Sequence, residues 1–162
     1  MKNIVILLLI IIFIPSLRSN TLSIERCIMC GMDSNKSETK FEVHVSKGTK
    51  EIASGCYSFC CLHCVVLFKY RLSGGEIGSI LVRDYNTVTS KYDSGEMIEA
   101  KKGFYLVESE LLPKGSMVPF MLVFSTYETA NKFRKVYGGR IFNWKEVWGY
   151  TESYDRIRKS KK

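Results

Sequence analysis

The sequence predicts an α+β protein built from two small strand-strand-helix (ββα) units. Three observations carry that expectation. Phe41-Glu42-Val43-His44-Val45 alternates apolar and polar residues, the period of a half-buried strand. Two helix-like stretches close on paired glycines: Leu62 to Leu72 on Gly74-Gly75, and Ala130 to Tyr137 on Gly138-Gly139. Strand-like segments precede each helix in the same order, although the two halves share no detectable sequence repeat.

The elements follow in order. Residues 1–20 hold one Lys and then an unbroken apolar run from Ile4 to Ile14. A membrane span needs about 20 apolar residues, so this run fits the core of a secretory signal, with Ser16 and Ser19 near a cleavage point. An uncleaved anchor, and membrane association through it, is the other reading. Either way the mature chain is expected in the periplasm or another extracytoplasmic space. Residues 21–150 form the expected metal-binding domain, with units of about 27–75 and 79–148, and 151–162 form a basic tail.

In the first unit, Phe41 to Val45 is a strand, Lys47-Gly48-Thr49-Lys50 a turn, and Glu51-Ile52-Ala53-Ser54 its returning partner. The helix from Leu62 then carries Cys60, Cys61 and Cys64 around its first turn. A cysteine knuckle, a hairpin and cysteines at a helix start make a treble-clef-like layout. In the second unit, Ile80 to Tyr85, Gly103 to Val107 and the apolar Met121 to Phe124 read as strands. Ser125-Thr126-Tyr127-Glu128 has the S-x-x-E form of a capping box. Arg140-Ile141-Phe142 makes a last strand, and Asn143 caps a turn bearing Trp144 and Trp148.

Composition narrows the function. Hydrophobic content of 46% and aromatic content of 12% belong to a folded protein. Much of the net charge of +8 lies in the tail, which reads as a solvated end or a contact for anionic partners. No nucleic-acid module appears, so nucleic acid is not an expected partner. All six cysteines fall between Cys27 and Cys64; disulfide staples would be spread along the chain, whereas clustering marks a site. Three disulfides in an exported chain remain the rival reading.

Cys27-x-x-Cys30 alone says little. Joined to Cys61-x-x-Cys64, or to Cys60-x-x-x-Cys64, it has the spacing of a tetrahedral metal site. A helix N-terminus would favour the thiolates that bind metal. Met32 stands two residues after Cys30, and Met117 lies in a Gly/Pro loop where no apolar period requires it. Thiolate with thioether is a soft set suited to copper(I), while zinc prefers thiolate and imidazole. The candidate ligands are therefore Cys27, Cys30, Met32, Cys60, Cys61, Cys64 and Met117. His44 falls on the polar face of its strand, and His63 sits between cysteines on a helix that can turn it away. Asp84 is either a buried charge paired with Arg83 or a site acid. No hydrolytic constellation assembles, and the chain reads as a binding protein, not an enzyme.

These residues resemble the NosL family, the copper-binding accessory proteins of nitrous oxide reductase. Cys27-x-x-Cys30-Gly31-Met32 carries the resemblance, with Val82-Arg83-Asp84-Tyr85, Glu99-Ala100, Met117 ahead of Phe124, and Ala130-x-x-Phe133 with Gly138-Gly139, all in order. It implies a fold of two related ββα units like that of organomercurial lyase. It also implies copper(I) held by Cys30, Met32 and Met117, with His44 the candidate nitrogen ligand. The chain departs from the pattern in lacking a lipobox before Cys27 and in adding the set Cys56, Cys60, Cys61 and Cys64. The leading expectation is an exported copper(I) metallochaperone serving a copper-accepting enzyme, such as nitrous oxide reductase, or a copper transporter. The rivals are a treble-clef module stabilised by structural zinc, and an organomercurial-lyase-like or thiol-redox enzyme.

Overall fold

The computed structural model describes residues 25–88 and 95–160, without the side chains of 155–160. The leader expected at residues 1–20 and the last residues of the basic tail lie outside them. Strand β1, Phe41–Lys47, sets the frame of the first half. Phe41, Val43 and Val45 are fully buried while His44, Ser46 and Lys47 face solvent, as the alternation requires.

The partner of β1 differs from the expected one. Strand β2 is Gly55–Phe59, not Glu51–Ser54, and it pairs antiparallel with Phe41 opposite Phe59 and His44 opposite Cys56. Thr49 explains the shift. Its Oγ1 accepts from the amides of Glu51 (3.3 Å) and Ile52 (3.2 Å), and its own amide donates to the Ile52 carbonyl (2.7 Å). These local bonds occupy the backbone groups a strand would need. Helix α1, Leu62–Arg71, then covers the inner face of the sheet. It is buried almost all round, and Phe68 packs its ring 5.0 Å from Phe59 and 5.3 Å from Tyr57.

Strand β3 spans Glu76–Arg83 and pairs antiparallel with β1. It starts earlier than expected, and it completes the sheet of the first unit instead of opening the second. Asp84 ends it: Oδ1 accepts the Asn86 amide at 3.0 Å and caps a 3₁₀ turn over Tyr85–Thr87. Strand β4, Met97–Glu99, pairs with Leu81–Arg83, giving the order β2-β1-β3-β4.

The second sheet has β5 (Phe104–Val107), β6 (Met121–Phe124) and β7 (Arg140–Phe142), all antiparallel in the order β6-β5-β7. Every residue of β6 is buried, as its unbroken apolar run implies. Helix α2, Tyr127–Tyr137, is capped one residue later than the box predicts, by the Thr126 hydroxyl accepting the Thr129 amide at 3.3 Å. It stops at Gly138, whose φ of +69° suits glycine.

The expected turn after Asn143 is a 17-residue helix, α3, Trp144–Ser160, which runs through much of the predicted tail. Asn143 and Glu146 cap each other, amide to carboxylate at 2.8 Å and amide to side-chain carbonyl at 3.0 Å. That reciprocal pair satisfies helix donors that a turn would leave to water. Val147 and Thr151, four residues apart, are buried on one face.

Candidate metal centre

The knuckle is a tight loop, bridged where Arg26 pairs with Asp33. The Cys27 amide donates to the Met32 carbonyl (2.7 Å), and the Gly31 amide to the Cys27 carbonyl (2.8 Å). Closing that turn puts Gly31 at a φ of +76°, in the left-handed region where glycine is unstrained. The Cys-Gly-Met order thus has a backbone cause: the glycine turns the chain so that Cys30 stands exposed at the tip while Cys27 is buried.

A cation ties this loop to the sheet. Lys40, 7% exposed in its side chain, sits 2.7 Å from Glu25 and 2.8 Å from Glu42. It also donates to the Asn35 side chain at 3.1 Å. Glu25 further accepts the Ser58 hydroxyl of β2 at 2.7 Å. The Lys40 and Ser58 bonds hold the Glu25 carboxyl below its ordinary range. Arg83, buried at the end of β3, donates to the carbonyls of Asn35 (3.0 Å) and Ser37 (2.7 Å). Arg83 and Asp84 are therefore structural posts, one for the segment after the knuckle and the other for the 3₁₀ turn.

Helix α1 brings the second set of cysteines. Cys61 is its N-cap, Cys60 precedes it, and Cys64 lies in its first turn. The sulfurs of Cys27, Cys30, Cys60 and Cys64 all fall within 4.8 Å of one another. Cys30 and Cys60 are 3.5 Å apart, and Cys60 is 3.8 Å from both Cys61 and Cys64. Cys56 lies elsewhere, exposed on β2. The six cysteines are free thiols in this structure, with no disulfide.

Crowded sulfurs share protons. Hydrogen bonds from Cys60 and Cys64 push the Cys27 thiol far below its ordinary value and Cys61 to about 3. Donating those bonds pushes Cys60 and Cys64 up in turn. The shared bonds thus bias Cys27 and Cys61 towards thiolate and Cys60 and Cys64 towards thiol. A bound cation would favour thiolate throughout, because metal and protons compete for the same sulfur.

The second half supplies a roof. The Met117 backbone faces Cys61 and helps to lower that thiol's pKa. The Val118 carbonyl lies 3.0 Å from Nδ1 of His63, which accounts for that buried histidine without a metal. The loop is pinned on its other side as well: the Glu38 amide donates to the Lys114 carbonyl (3.0 Å), the Lys114 amide to the Glu38 carboxylate (2.9 Å), and the Ser116 and Thr39 hydroxyls are hydrogen-bonded at 2.9 Å. Met29, Met32 and Met117, all half-buried, pack against the apolar cluster that contains the cysteines. His44 is exposed on β1, on the opposite face from its buried neighbours Val43 and Val45.

Sequence reasoning missed the hydroxyls. Ser37 and Thr39 both donate to the Cys60 carbonyl, at 2.6 and 3.0 Å, and fix the peptide that joins Cys60 to Cys61. A buried Ser-x-Thr is silent in sequence; only its alternation with the exposed Lys36 and half-buried Glu38 hints at a role.

Comparison with known proteins agrees with this architecture. The crystal structure of the copper chaperone NosL from Shewanella denitrificans aligns with a TM-score of 0.56 and 19% identity, over 75% of this chain and 88% of that one. At that identity the likeness is one of fold. No curated protein matched. The family model of NosL matches residues 21–150, most of the sequence, and the chain belongs to the NosL family.

Proposed function

We propose that this protein is an exported copper(I) carrier, not an enzyme, that passes its ion to a copper-accepting enzyme or transporter by ligand exchange. One observation carries the proposal: four cysteine sulfurs converge within 4.8 Å, three buried and one, Cys30, exposed. The set is soft and suits copper(I), with Met32 and Met117 as neighbouring thioethers. Cys27, Cys60 and Cys64 would retain the ion while an incoming thiolate or imidazole displaces Cys30. Copper(I) accepts two or three ligands, so the exchange never leaves it bare. Family membership and the apolar leader support an extracytoplasmic site of action and nitrous oxide reductase as an acceptor.

A second reading rests on the same count. Four thiolates are the complement of a structural zinc site, and a zinc-stabilised module would use them without any transfer. An anaerobic metal count on the reduced protein, with copper(I) titrated against a competing chelator, separates the two. One tight copper(I), weakened roughly tenfold or more by Cys30→Ser and by Met117→Leu, is expected for a carrier. Stoichiometric zinc with only loose copper binding would discard the carrier reading. Unchanged affinity in Met117→Leu would remove that thioether from the site.

A further inference from the structure

Among the described residues, strand β3 has an open edge over its first half. Its partner β4 covers only Leu81–Arg83. From Glu76 to Ile80 the strand has β1 on one side and, among the described residues, no strand on the other. This half is the exposed one: Glu76, Gly78 and Ser79 are exposed, Ile77 and Ile80 half-buried. A cavity of about 660 Å³ runs along it, walled by Trp144 and Trp148 of α3 and rimmed by three lysines, Lys69, Lys101 and Lys145, and two carboxylates, Glu76 and Glu99.

Open edges present unpaired amides and carbonyls, and proteins commonly blunt them with lysine or proline on the strand itself. Here the strand reads Glu-Ile-Gly-Ser-Ile and carries neither. The lysines instead converge from three other elements. Among the described residues none of the three has an ion-pair partner, whereas Glu76 meets Lys47 (3.7 Å) and Glu99 meets Lys102 (2.6 Å). The two indoles, with ring centroids 5.2 Å apart and both half-buried, offer an apolar wall.

We infer that this groove binds an extended acidic segment of a partner protein, which adds as a strand to the Glu76–Ile80 edge and places its carboxylates near Lys69, Lys101 and Lys145. Main-chain hydrogen bonds supply affinity, while alternate side chains supply selectivity. Five residues of edge span about 17 Å, the length of a five- or six-residue peptide. The inference goes beyond the metal reading and stands without it, because the groove borders the last turn of α1 and the cysteines lie at its first.

The test uses the full chain at one fixed metal state and a blocked peptide of alternating glutamate and valine, six residues long. Tryptophan fluorescence and calorimetry should show saturable one-to-one binding, absent for the lysine-valine counterpart. N-methylation of alternate peptide amides should weaken binding tenfold or more in one of its two frames, because only one frame faces the edge. The double variant Lys69→Glu, Lys145→Glu, confined to the surface, should also weaken it tenfold or more. No binding, no effect of either N-methyl frame, or full affinity in the charge-reversed variant would overturn the inference. So would sedimentation of the chain as a dimer that blocks the peptide, which would make a second copy the occupant. Binding that appears only after residues 1–20 are removed would give the groove to the chain's own N-terminus and end the proposal too.

Discussion

Helices α1 and α2 follow strands in the same order, yet they close their halves by opposite means. Six of the ten residues of α1 are buried, and its start is wrapped in sulfur. Helix α2 buries only Ala130 fully and keeps a charged outer face. Its half is closed by rings: Phe133 lies 4.8 Å from Phe124, and Tyr85 stands edge-on to both at 5.8 and 5.9 Å. Aromatic packing is complete as soon as the chain folds. A thiol cluster is also a set of groups for which metal and protons compete. The first half thus places reactive groups in its core, and the second does not.

Substitutions can separate the two halves. Phe124→Ala should have the largest effect, about 3–5 kcal/mol of stability, because the ring leaves a cavity among well-packed neighbours. Hydrogen exchange should rise first in β5, β6 and α2; a first half that opens earlier would contradict the division. Lys40→Met comes next, at about 1–2 kcal/mol. Its carboxylate partners are 42% and 37% exposed and can return to water, which limits the loss. Faster exchange confined to residues 25–40, with β6 unchanged, would place the damage in the knuckle. Gly31→Ala should cost about 1 kcal/mol, a backbone cost alone, since a Cβ there meets nothing within 4 Å. A loss of metal affinity far beyond that figure would show that the knuckle tolerates no relaxation.

Acid gives the gentlest probe. Because the Glu25 carboxyl is depressed from 4.5, its contribution is fully present above that value and fades as pH falls through the lower folded value. Denaturant melts from pH 6 to 3 should therefore steepen in their loss of stability below about pH 4.5, and Glu25→Gln should flatten that slope. An unchanged slope in the variant would assign the acid sensitivity to other groups.

The fold was legible where a single period dominated. The alternation of β1, the apolar run of β6 and the glycine stops of both helices led to the right elements. The misplacements came where a side chain redirected backbone hydrogen bonds, as Thr49 does before β2, or where two residues cap each other, as Asn143 and Glu146 do at α3. The α3 face is also sparse in aliphatic residues, so its periodicity is carried by tryptophans and one threonine. At the candidate site, spacing joined Cys27 and Cys30 to Cys64 with either Cys60 or Cys61, and it left that choice open. It could not divide exposed Cys30 from its buried neighbours, because that division depends on the positive φ at Gly31. Nor could it foresee Ser37 and Thr39, whose purpose is a carbonyl and not a motif.

The pinned loop at residues 113–118 has a consequence for anyone who would move this site to another scaffold. Residues 25–75 look like a self-contained cassette, with every cysteine inside. Transplanted alone, they would arrive without the backbone that faces Cys61, the carbonyl that meets His63 and the hydroxyl that meets Thr39. The smallest portable version of this centre is discontinuous in sequence, and a graft must carry both pieces.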